Sequence, residues 1–97
     1  MQLNHIRKKI DTIDNKIIAL LSGRASLSQQ IGRIKKKLNK SIYAPDREKE
    51  VISHIKNVNK GPLSNQSLSA IYREIMSSSF SLEKPLSIAY LGPEASN

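Results

Sequence analysis

Four cations fall on the inward registers of the helices that the sequence spells: Arg7, Arg24 and Lys35 on one, Arg47 on the next. Two carboxylates, Glu48 and Glu83, and one hydroxyl, Ser79, fall on the same kind of inward register. Taking a charge out of water costs several kcal/mol unless it is paired. Two acids do not balance four bases, so such a cluster calls for a small anion with more than one carboxylate or phosphate. The cluster offers no nucleophile. The chain has no cysteine, His5 and His54 fall outside the cluster, and no Ser/His/Asp arrangement is evident. No metal-ligand spacing and no glycine-rich phosphate loop occurs. Chemistry at this cluster must run on positioning and fixed electrostatics.

The elements that position these groups follow from the apolar register. Leu3, Ile6, Ile10, Ile13, Ile17, Leu20, Leu27, Ile31, Ile34 and Leu38 are separated by alternating threes and fours, with Arg24 filling the step from Leu20 to Leu27. That is the a/d seam of a heptad repeat. Arg7, Leu21, Ser28 and Lys35 lie beside it. With no proline before Pro45, the spacing predicts one long helix over residues 2–40, weakened by ~1 kcal/mol at Gly23 and again at Gly32, with a bend near Gly23 allowed. Such a helix is roughly 55 Å long. A compact chain of 97 residues spans only roughly 32 Å, so one chain cannot cover the seam. The expected assembly is an intertwined homodimer.

Pro45 suits the first position of a second helix, with Asp46 and Glu48 at its positive end. Val51, Ile52, Ile55 and Val58 form its inner stripe, which Arg47 and Glu48 extend backwards. Gly61, expected at C′, and Pro62 end it. Ser64 is the expected N-cap of a third helix with the stripe Leu68, Ile71, Tyr72, Ile75 and Met76, leading on to Ser79 and Glu83. The fold class is therefore all-α: one long and two shorter helices over residues 1–83. Residues 84–97, "KPLSIAYLGPEASN", change character and read as a linker and the first strand of a following domain.

Composition narrows the partners. The formal charge is +8 over 97 residues. It favours an anion: nucleic acid, a membrane surface or a small polycarboxylate. Three Tyr and one Phe make a base-stacking surface a poor expectation. No secretory leader opens the chain and no apolar run approaches ~18 residues, so a cytoplasmic protein without an anchor is expected.

The segments "LNHIRKKIDTIDNKIIALLSGRASLSQQIGRIKKK", "IYAPDREKEVI" and "IYREIMSSSFSLE" together resemble the all-helical chorismate mutases over residues 3–83. The tail "LSIAYLGPEAS" resembles the opening strand of prephenate dehydratase, so the chain is similar to the N-terminal part of bifunctional chorismate mutase–prephenate dehydratases of phenylalanine synthesis. No dehydratase activity is expected from these residues. The resemblance implies a cofactor-free Claisen rearrangement of chorismate to prephenate. The dianionic substrate is held in a folded, diaxial conformer, and negative charge builds on the breaking ether oxygen.

Residue by residue, the resemblance implies the following roles. Arg24 grips one substrate carboxylate, while Arg7 reaches into the partner chain's site, so the two active sites are shared. Lys35 contacts a carboxylate and the ether oxygen. Glu48 accepts a hydrogen bond from the ring hydroxyl, and Arg47 lines the pocket and orients its neighbours. Ser79 binds a carboxylate. Glu83 stands where family members carry Gln or Glu facing the ether oxygen. Ile31, Met76 and Phe80 supply apolar wall. The chain departs from the pattern at Ala44, where some relatives have Asp, which leaves hydroxyl recognition to Glu48. It departs again at Ala95, where the dehydratase motif usually has Gly.

Plainer readings exist for single residues. Arg24 could fix dimer register, Lys35 could belong to the solvated run with Lys36 and Lys37, and Arg47 and Glu48 could simply start a helix. Two other functions compete for the whole. A turn and basic recognition helix in "SGRASLSQQIGRIKKK" would bind nucleic acid, but it requires the long helix to break at Gly23. A dimerisation or regulatory module would have no need of inward cations around one pocket.

Overall fold

Every apolar member of the predicted seam is solvent-exposed in the single chain, from 45% at Ile31 to 74% at Leu20. The computed structural model describes residues 2–83. The expectation for residues 84–97, linker and strand, lies outside the described residues. Those described form three helices: α1 (Gln2–Lys37), α2 (Pro45–Val58) and α3 (Asn65–Glu83). The described residues measure 53 × 33 × 20 Å, with a radius of gyration of 17.5 Å. A compact domain of this length would have about 12.5 Å. The excess comes from α1, which at 36 residues runs roughly 54 Å.

α1 is unbroken through Gly23. It ends at Lys37, three residues before the expected boundary. Asn39 takes a left-handed φ of 57°. Its N–H donates to Lys36 O at 3.1 Å, and Lys40 N–H donates to Lys35 O at 2.8 Å. Those two bonds are a Schellman cap with asparagine at C′. Lys35, Lys36 and Lys37 occupy the last turn, where the macrodipole favours cations.

α2 starts with Pro45 at its first position and Asp46 and Glu48 in its first turn. Its cap, Ala44, supplies no side-chain bond, so proline and acids do the starting. At the other end Asn59 is the cap, and the left-handed Gly61 (φ 74°) lies one position beyond the expected C′. The reason is the Asn59 side chain. Its Nδ2 donates to Leu63 O at 2.9 Å and to Asn65 Oδ1 at 2.8 Å, while its Oδ1 accepts from Gly61 N–H at 2.9 Å. One asparagine thereby ties the α2–α3 connection together. α3 then starts at its expected cap: Ser64 Oγ accepts from Ser67 N–H at 3.0 Å.

α3 packs against both α1 and α2, and α1 makes no close backbone approach to α2 among the described residues. The face of α1 that α3 covers is the strip beside the seam: Leu21, Arg24, Ala25, Ser28, Gly32 and Lys35 are its buried or half-buried residues. Residues 2–20 are exposed throughout. Ile55 is the one buried large apolar side chain among the described residues. Val51, Ile52, Leu68, Tyr72, Ile75 and Met76 are half-buried, whereas Val58 and Ile71 of the expected stripes stay about half exposed.

Candidate active site

A cleft of about 540 Å³ opens where α3 faces the C-terminal half of α1 and the start of α2. Nine of the ten residues singled out from the sequence line it: Arg24, Ile31, Lys35, Arg47, Glu48, Met76, Ser79, Phe80 and Glu83. The tenth, Arg7, is on the exposed N-terminal half of α1, roughly 25 Å from Arg24 along the helix.

Each polar group is fixed by its element. Arg24 and Lys35 are eleven residues apart, three turns of helix, so both point to the same side of α1. Ser79 and Glu83 are one turn apart on α3. The two helices therefore meet as two rungs. On the first rung, Arg24 Nη1 donates to Ser79 Oγ at 2.8 Å, and Ser79 Oγ donates in turn to Ile75 O at 3.0 Å. Ser79 is buried, so its hydroxyl has a set direction. On the second rung, Lys35 Nζ lies 3.6 Å from Glu83 Oε1 and donates to Ile42 O at 3.2 Å. Both side chains of this pair are largely shielded, at 22% and 14% exposure. Such shielding strengthens the field each exerts on a neighbour.

α2 contributes differently. Arg47 lines the cleft but its side chain is 73% exposed, with Nη1 on Glu50 Oε1 at 3.3 Å. That surface pair contributes little to stability. Glu48 is also exposed, at the rim. Three cations and two carboxylates border the cleft, leaving it positive by one charge. With Leu27, Ile31, Val51, Met76 and Phe80 as apolar wall, it fits a small, ring-sized anion held by charge at fixed points.

The profile of the chorismate mutase type II family matches residues 6–84. The chain belongs to the chorismate mutase type II family. The bifunctional chorismate mutase/prephenate dehydratase of Stutzerimonas stutzeri is 45% identical over 98 residues, 96% of this chain and 27% of that protein. The chain thus spans about a quarter of the length of the curated relatives it matches. Among solved structures, chorismate mutase (form II) of Thermus thermophilus superposes with a TM-score of 0.84 at 32% identity, covering 86% of this chain and 94% of that one. Chorismate mutase of Helicobacter pylori in complex with prephenate gives 0.76 at 28% identity, covering 84% and 88%.

Within this chorismate mutase fold, two residues in or beside the cleft, Ile42 and Glu50, lacked a sequence signal that singled them out. Ser28, placed beside the seam by its register, is buried between Arg24 and Lys35 on the covered strip of α1. Ile42 enters through its backbone carbonyl, which no side-chain pattern encodes. Ala44 is the cap of α2 and borders the cleft beside Glu48. Glu50, the partner of Arg47, lies outside the cleft lining, where a pattern of inward charges does not reach.

Proposed function

We propose that this chain is a chorismate mutase, rearranging chorismate to prephenate as a homodimer with shared sites. The observation that carries the reading is the pair of rungs, Arg24–Ser79 and Lys35–Glu83, facing one cleft. In the rearrangement one ether C–O bond breaks as one C–C bond forms. No proton, electron or water enters or leaves, so the protein's contribution is conformational selection and charge stabilisation. Arg24 and Ser79 hold one carboxylate of the folded dianion. Lys35 faces the ether oxygen as negative charge builds there, and Glu83, on the same side of the cleft, holds Lys35 across the second rung. Glu48 at the rim receives the ring hydroxyl, and Arg47 orients the mouth of the site.

The second carboxylate needs a further cation, and Arg7 of a second copy supplies it in this reading. The uncovered seam along the whole of α1 supports a partner helix laid against it, since exposed apolar stripes of this length mark an interface. The unbroken passage of α1 through Gly23 weighs against a recognition helix for nucleic acid. No described helix is long and apolar enough to cross a membrane. Residues 84–97 are read as the start of a second domain of the prephenate dehydratase kind.

Ultraviolet loss of chorismate on addition of the protein tests the function. The wild type is expected to turn it over, and Arg24→Ala to lower kcat/KM by about 10²–10³-fold. A folded wild type that leaves chorismate untouched, or an Arg24→Ala variant as fast as wild type, contradicts the assignment.

A further inference from the structure

A glycine in a helix interior costs about 1 kcal/mol relative to alanine, and α1 carries two. They differ in what surrounds them. A Cβ on Gly23 would meet nothing within 4 Å, whereas one on Gly32 would lie 2.6 Å from Glu83 O, 2.8 Å from Glu83 Cα and 3.0 Å from Glu83 C. All three contacts are backbone atoms, which cannot swing aside as a side chain can. The last turn of α3 therefore rests directly on the bare backbone of α1. Gly32 is one turn before Lys35 on the same face, and Glu83 is the residue whose carboxylate reaches Lys35 Nζ.

We infer that Gly32 is a positioning residue for the rearrangement: its missing side chain lets the end of α3 seat against α1, and that seating sets the Lys35–Glu83 spacing. The inference rests on the proposed function and deepens it. Restoring ordinary van der Waals separation from a Cβ requires Glu83 to retreat by roughly 1 Å. The ion pair, already at 3.6 Å, then opens. The Arg24–Ser79 rung lies further along both helices and is not pushed by the new methyl.

The test is a double-mutant cycle on Gly32→Ala and Glu83→Ala, read by chorismate turnover with circular dichroism as the fold control. Gly32→Ala is expected to lower kcat roughly 10²-fold, the penalty of an ångström-scale misplacement. KM should stay within about threefold, because the carboxylate grip is kept. In the Glu83→Ala background the same glycine change should cost less than about fivefold, because the group it displaces is already gone. Additive losses overturn the inference, as does a Gly32→Ala chain that keeps full activity. A Gly32→Ala chain without helical signal overturns it too, making the glycine a requirement of the whole fold. An inert wild type sinks the proposed function along with it, whereas an active wild type with an additive cycle sinks the glycine inference alone.

Discussion

The two halves of α1 carry the same apolar seam and share nothing else. The C-terminal half uses two faces. Leu21, Arg24, Ala25, Ser28, Gly32 and Lys35 turn towards α3 and the cleft, and Leu27, Ile31 and Ile34 stay on the open side. The N-terminal half, residues 2–20, is exposed on every face. Nothing within the described chain stabilises it, although Leu3, Ile6, Ile10, Ile13 and Ile17 are all apolar. An isolated helix of this length is marginal in water, since most helical stability in proteins comes from packing an amphipathic face. In the proposed dimer the first half of α1 lies against the second copy, and Arg7 travels with it.

The largest effect should come from breaking that half. Ile13→Asp places a charge in the seam of each copy, and a buried unpaired charge costs roughly 3–5 kcal/mol. Sedimentation should show loss of the dimer, circular dichroism loss of helix, and the turnover assay no activity. A dimeric, active Ile13→Asp would mean that the seam is not the interface.

A smaller effect is expected at the other half. Glu83 faces Lys35 across the second rung at 3.6 Å, and glutamine at this position keeps the length and a hydrogen-bonding end. Glu83→Gln should therefore keep turnover within roughly tenfold of wild type, whereas Glu83→Ala, which removes the group altogether, should lower kcat about 10²-fold. A Glu83→Ala chain as fast as wild type removes Glu83 from the chemistry.

The smallest change lies where the halves meet. Gly23→Ala finds open space within its own chain and should stabilise α1 by up to about 1 kcal/mol, seen as a modest rise in Tm. A fall in Tm would place a neighbouring subunit against Gly23 and sharpen the position of the interface.

The legibility of these features followed the physics that sets each one. Helix periodicity and the seam are written in side-chain types, so three helices, their order and the start of α2 at Pro45 could be read directly. The cleft residues on α1 and α3 were legible because a charge on an apolar register is rare and conspicuous. What was hidden depends on backbone. The end of α1 is fixed by the left-handed Asn39, the α2–α3 connection by the side chain of Asn59, and the seat of Lys35 by the carbonyl of Ile42. Carbonyls have the same chemistry at every residue, so spacing says nothing about which one is used. Arg47 shows the limit from the other side: the stripe of α2 points it inward, yet at the first turn of a helix its long side chain reaches Glu50 and water.

In the proposed dimer every site takes Arg24 from one chain and Arg7 from the other. Arg7→Ala and Arg24→Ala proteins, each nearly inactive alone, can be unfolded, mixed in equal amounts and refolded together. Half the dimers are then mixed, and one of the two sites in each carries both arginines. Recovery of about a quarter of wild-type activity from two dead proteins is expected. If the refolded mixture forms dimers yet stays as inactive as its parents, the sites are not shared.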